Sequence, residues 1–308
     1  MYEQTNGTDW INNAGWMNDT LPHCQWYGIS CNDDGYVNGI NLRNNNIQGN
    51  FPVYTYSGSL STPLGIPVPE SNWLYAKYGL ANLFSLETLD LADNNLTGTI
   101  EYRPLYNLES LHYFDISRNQ LSEGFDPLIT PSISYANFSN NHFTSMYHFR
   151  PYKVSPLQAM RSLDLPPSMN NLSKLRRFDM SYNALSGELP VFENSRFVLQ
   201  QLDLSNQDHA NGFTGPIPEE LWRFQSLKIL SLADNKLTGT ILPDIVNLAV
   251  LRRFDVSNNR LSGDFPPQIG QLAGTLNYLG LANNTFSGMI PGRFVQIRVK
   301  FVKGELNS

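Results

Sequence analysis

Apolar positions in this chain follow neither a helical nor a simple strand period. In the stretch LETLDLADNNLTGTI, which starts at Leu86, apolar residues fall at Leu86, Leu89, Leu91, Leu96 and Ile100, with Asn94 lodged among them. Intervals of three, two, five and four fit neither 3.6 residues per turn nor sustained alternation. The same uneven pattern, L-x-x-L-x-L-x-x-N-x-L, returns from Val37, Leu86, Leu111, Ile133, Leu175, Leu199, Leu227, Leu251 and Leu276. A unit this short cannot bury its own apolar face, so its recurrence predicts a stack of coils with one shared core.

The register asparagines are Asn45, Asn94, Asn119, Asn141, Asn183, Asn211, Asn235, Asn259 and Asn284. Steps of 22 to 28 residues dominate, and two longer steps, of 49 and 42, place insertions near 53–77 and 146–163. In the sixth unit, LQQLDLSNQDHANGF, the reading puts four extra residues, Asn206 to His209, ahead of the register position. Each L-x-L segment is a short strand with its leucines inward and the residue between them toward solvent. Stacked at about 4.8 Å, these strands build a parallel sheet.

After the register Asn come LTGTI, LSGELP, FTGPIP, LSGDFP and FSGMIP, and before the first unit stands WINNAGWMNDTLPHCQWYGISC. These motifs resemble the plant-type leucine-rich repeat family and its N-terminal cap, over roughly Thr8 to Phe294. The resemblance implies an α/β leucine-rich repeat solenoid of about 9–10 repeats: a right-handed superhelix with a concave parallel β-sheet and convex 3-10 or short helical segments. It further implies that each register amide satisfies backbone groups of its own and the adjacent repeat, a structural role. Three regions are expected: a cap over 1–36, the solenoid over 37–294, and a closing strand over 295–308. In that last segment Val295, Ile297, Val299 and Phe301 alternate with Gln296, Arg298 and Lys300. Trp10, Trp16 and Trp26 are placed over the first repeat.

The two cysteines, Cys24 and Cys31, can be read as a disulfide or as free thiols from sequence alone. The family resemblance implies the disulfide, which stabilises the cap in an oxidising compartment.

Composition narrows the function classes. Charged residues are only 16% of the chain and the net charge is −6, which argues against a nucleic-acid partner held by a broadly basic surface. No apolar run reaches the roughly 20 residues of a membrane span, and no signal peptide is expected in this piece. The five histidines, His23, His112, His142, His148 and His209, show no metal-ligand spacing. With no catalytic constellation, neither a cofactor nor a metal is expected, and the chain is read as a non-enzyme.

Recognition residues follow from the register. The central column facing solvent reads Asn41, Asp90, Asp115, Asn137, Asp179, Asp203, Ser231, Asp255 and Gly280; the next is almost all Ala and Ser after Arg43. The preceding column carries Tyr113, Tyr135, Arg177 and Arg253, residue types that anchor interfaces, and Tyr182 extends them. Concave ligand-binding candidates are therefore these five with Asp115, Asp179 and Asp203. The insertions add Tyr54, Tyr56, Trp73 and Tyr75, and Tyr147, Phe149, Arg150 and Tyr152, aromatic-rich loops on a rigid array. N-x-[ST] sequons begin at Asn6, Asn18, Asn95, Asn137, Asn171 and Asn283, about as many as chance gives. The expected function is a non-catalytic extracellular recognition module, a receptor ectodomain or secreted protein, binding a protein, peptide or cell-wall glycan. Alternatives are an inhibitor of a microbial polysaccharide hydrolase, resembling the polygalacturonase-inhibiting proteins, or a structural wall or matrix component.

Overall fold

The computed structural model describes residues 1–51, 80, 83–100, 105, 108–125, 130–146, 172–190, 198–208 and 210–287. The insertion aromatics Tyr54, Tyr56, Trp73, Tyr75, Tyr147, Phe149 and Tyr152, with Arg150, Asn171 and the strand expected over 295–308, lie outside the described residues.

In chain order the strands are β1 (Ile29–Cys31), β2 (Val37–Asn41), β3 (Gln48–Asn50), β4 (Thr88–Asp90), β5 (Asn95–Gly98), β6 (Tyr113–Asp115), β7 (Gln120–Phe125), β8 (Tyr135–Asn137), β9 (His142–Met146) and β10 (Arg177–Asp179). They continue as β11 (Ser186–Glu188), β12 (Gln201–Asp203), β13 (Gly212–Gly215), β14 (Ile229–Ser231), β15 (Lys236–Leu237), β16 (Arg253–Asp255), β17 (Ser262–Asp264), β18 (Tyr278–Gly280) and β19 (Thr285–Ser287). A ten-stranded sheet runs β1-β2-β4-β6-β8-β10-β12-β14-β16-β18. Every pair after β1–β2 is parallel and in register, so that Asp90 faces Asp115 and Asp179 faces Asp203 across strand neighbours. These are the L-x-L segments of the repeat, and their leucines fill one continuous core.

A second set of short parallel strands, β3-β5-β7-β9, β11-β13-β15 and β17-β19, lies on the outgoing side of each coil. The L-x-G segments form it. Their glycines are held at positive φ, as at Gly263 (φ 79°), where an added Cβ would also sit 2.8 Å from the Thr240 methyl. The helical segments returning to the sheet, such as Glu219–Arg223 and Pro243–Asn247, are 3-10 turns.

The register amides join consecutive coils. Asn119 Oδ1 accepts the Leu96 N–H (2.9 Å) of the preceding repeat, while its Nδ2 donates to Leu91 O of that repeat and to Ile116 O and Ser117 O of its own turn. Asn94, Asn141, Asn183, Asn235, Asn259 and Asn284 repeat the arrangement. Immediately before each rung stands a residue in the left-handed region, from Asn44 (φ 51°) to Asn283 (φ 54°), which turns the chain off the strand. Most are Asn or Asp, the side chains that tolerate this conformation best, but Arg118 and Tyr182 also adopt it.

One register assignment is corrected. In the sixth repeat the rung is Gln207, not Asn211: Gln207 Oε1 accepts the Leu185 N–H (3.0 Å), and Nε2 donates to Met180 O, Leu204 O and Ser205 O. The extra residues therefore follow the rung, with Asn211 in a turn whose N–H bonds Asp208 O. A glutamine performs the same amide chemistry, and the sequence pattern was blind to it.

At the N-terminal end Trp10, Trp16 and Trp26 pack edge to face or tilted in succession, with centroids 4.9 and 5.1 Å apart, and Trp10 is buried. Each indole N–H finds a carbonyl, of Thr5, Tyr27 and Leu21 respectively. Asn45, the first rung, bonds both ways with the Asn12 backbone and so joins cap to stack. Cys24 and Cys31 form a disulfide beside β1, which pairs antiparallel with β2.

Candidate recognition face

The acidic column of the ten-stranded sheet is built into the turns. Asp115, Asp179, Asp203 and Asp255 each turn Oδ1 back to accept the N–H and hydroxyl of the serine two residues on; Asp179 does so from Ser181 at 2.9 and 2.7 Å. Asn137 uses its own Oδ1 the same way on Ser139. This corrects the expectation of a column fully open to solvent, since Asp90, Asp115 and Asp255 are buried. The second oxygen of each carboxylate remains for other partners.

Those partners differ along the sheet. At one end Arg43, just after β2, lies across the small side of the sheet and spans two further repeats. Its Nε donates to Asp90 (3.0 Å), Nη1 to Asp93 (2.8 Å) and Nη2 to Asp115 (2.7 Å). Ala92 in the neighbouring position leaves that path clear. Sequence reasoning did not single out Arg43; the available signal was one long cation heading a column otherwise made of Ala and Ser. Near the other end Arg253 donates to Asp255 (2.8 Å) while its guanidinium lies 3.8 Å from the centre of the Tyr278 ring.

Between them the aromatic anchors are brought together. Tyr113 and Tyr135, on β6 and β8, stack with centroids 4.4 Å apart and planes within 10°. Burial, then the nearby Asp115 carboxylate, raises both phenol pKa values. On the next strand Arg177 is exposed, and Tyr182, 55% accessible, projects beyond it. Asp179 and Asp203 face each other here, and among the described residues no cation pairs with either. Burial, then repulsion from Asp203, pushes the Asp179 carboxyl up to about 6. Thus the structure brings Tyr113, Tyr135, Arg177, Asp179 and Asp203 onto consecutive strands, with Tyr182 in the turn after β10, Asp115 already held by Arg43, and Arg253 held by Asp255 and Tyr278.

Of the sequon asparagines, Asn6, Asn18, Asn95 and Asn283 are exposed, whereas Asn137 is half-buried with its amide on Asp115 and the Tyr135 hydroxyl.

Residues 85–103, 226–248 and 250–272 match the family described as Leucine Rich Repeat. The chain is a leucine-rich repeat protein. Its relatives include plant receptor-like proteins and receptor kinases of Arabidopsis thaliana: it is 30% identical to Serine/threonine-protein kinase BRI1-like 1 over 88% of this chain and 22% of that protein. It is also 30% identical to Receptor-like protein 41 over 38% of this chain and 14% of that one. The chain therefore spans less than a quarter of these relatives. Among solved structures, the Arabidopsis receptor kinase HAESA ectodomain, in complex with an N-terminally extended IDA peptide hormone, superposes with a TM-score of 0.68 at 25% identity, covering 91% of this chain and 40% of that one. The GASSHO1/SCHENGEN3 ectodomain, bound to CASPARIAN STRIP INTEGRITY FACTOR 2, gives 0.59 at 27% identity over 71% of this chain and 24% of that one. Among the described residues no helix is long and apolar enough to cross a membrane.

Proposed function

We propose that this chain is a non-catalytic recognition module of an extracellular or cell-surface protein, and that the face from β6 to β12 binds an extended peptide or protein segment. The carrying observation is the Asp179–Asp203 pair: acids on either side of it have an arginine, and among the described residues this pair does not. A basic ligand side chain placed there would meet two carboxylates on one rigid sheet, while the Tyr113–Tyr135 stack and Tyr182 supply aromatic contact area at low entropic cost. The similarity to ectodomains solved with peptide hormones supports the peptide reading. Selection from a random peptide library tests it. Enriched sequences should carry Lys or Arg and lose most of their affinity for the Asp179→Asn/Asp203→Asn double variant; enrichment indifferent to both carboxylates would reject the assignment.

A further inference from the structure

Away from the concave face, the flank where the chain enters each strand carries a row of mostly polar and cationic side chains. The corner residue before each strand is Glu87, His112, Ser134, Arg176, Gln200, Lys228, Arg252 and Asn277 along successive repeats. From Ser134 onward this row contains cations and no acid, although the whole chain has a net charge of −6. Lys174 adds to it beside Arg176, and among the described residues none of these cations is in an ion pair. Under the row lies a groove of about 490 Å³ lined by Ser110, His112, Ser132, Ser134, Ser173, Lys174, Arg176 and Val198.

We propose that this groove binds an acidic oligosaccharide, a chain of carboxylate-bearing sugars. Its walls offer four serine hydroxyls, one of which, Ser134, already donates to His112 O (3.0 Å) and is left to accept, with a histidine and two exposed cations; Val198 is the one aliphatic lining residue. That chemistry matches sugar hydroxyls and carboxylates. A peptide is the poorer fit, because the main-chain groups it would pair with are spent: Ser134 N–H bonds His112 O, Arg176 N–H bonds Ser134 O, and Gln200 N–H bonds Arg176 O, each at 2.8 or 2.9 Å. The same ladder continues through Lys228 and Arg252, so the positions of the row stand about 4.8 Å apart per repeat, with charges at Arg176, Lys228 and Arg252 and the uncharged Gln200 between the first two. Spaced cations on a rigid edge suit a linear polyanion with regularly repeated charge. Glu87 and Glu109 bound the row at its acidic end.

Isothermal titration with an oligouronate of defined length tests the assignment, with its methyl-esterified form, a sulfated oligosaccharide and oligoglutamate as the other arms. Oligouronate should bind, its methyl ester should not, and the Lys174→Gln/Arg176→Gln pair should weaken binding at least about tenfold, the loss expected for charge-assisted hydrogen bonds. Arg260→Gln, which removes one cation at an exposed site past the eighth rung, should leave it unchanged. Equal binding of oligoglutamate or of the sulfated chain would overturn the proposal by showing a nonspecific polyanion surface. So would equal losses in Arg260→Gln and the groove variant, or no binding of oligouronate to the folded protein. Peptide selection on the concave face does not involve Lys174 or Arg176, so either reading can fail alone.

Discussion

Arg43 Nη2 lies 2.7 Å from Asp115 Oδ2, a contact between the first and third repeats that passes over the second. Asp115 keeps only 2% of its side chain accessible, and Arg43 is the cation that reaches its carboxylate. The contact makes the first three coils one electrostatic unit.

Replacing Arg43 with Gln should therefore cost about 1–2 kcal/mol: the Asp115 end of the contact is buried, but Arg43 keeps 39% of its side chain accessible and solvent screens the rest. Arg43→Lys should recover only part, because one ammonium cannot reach Asp90, Asp93 and Asp115 at once. Urea denaturation of both variants, with Asp115→Asn in a double-mutant cycle, measures the coupling.

Asp179 gives stability a pH dependence of opposite sign to an ordinary ion-paired carboxylate. Its folded pKa of about 6 lies above the ordinary 3.8, so between these values the folded chain holds a proton that the unfolded chain has released. This group's contribution is most favourable below pH 3.8 and is lost as pH rises to about 6, a change on the order of 2–3 kcal/mol. Asp179→Asn should flatten that slope and raise stability at neutral pH. The amide can keep the Ser181 bonds, as Asn137 already does with Ser139. Denaturation midpoints across the acidic range check both.

Gln207→Asn restores the family's usual rung residue yet should destabilise. A shorter arm leaves the Leu185 N–H or the Met180 carbonyl unpaired, at about 1–3 kcal/mol. Hydrogen exchange at the Leu185 amide should accelerate more than at Leu121, whose rung is intact.

Reduction of Cys24–Cys31 should loosen the cap rather than the whole stack. A loop closed by residues seven apart is worth about 2.5 kcal/mol in the chain-entropy description. Tryptophan fluorescence from Trp16 and Trp26 should report an earlier transition than far-ultraviolet circular dichroism.

Much of this was legible in the sequence because the repeat fixes which side chains share a column. The L-x-L strands and the neighbouring positions of Tyr113 and Tyr135 follow from that register, while the amide rungs and the N-terminal cap came with the family resemblance. Three features did not. The L-x-G segments, whose glycines take positive φ, also pair as a second sheet, which depends on neighbours rather than on local pattern. Gln207 was passed over because the pattern specified a residue type where the chemistry requires only an amide. The acidic column looked open because alternation predicts which way a side chain points, not that Ser117, Ser181, Ser205 and Ser257 will claim one oxygen each or that Arg43 will reach across two coils.

The most direct test of the recognition account is photo-crosslinking, with benzoylphenylalanine placed at Arg177 on the concave sheet and, separately, at Arg223 in the returning 3-10 turn. A peptide obtained by selection should crosslink from position 177 and not from 223; capture from 223, with none from 177, would contradict the account.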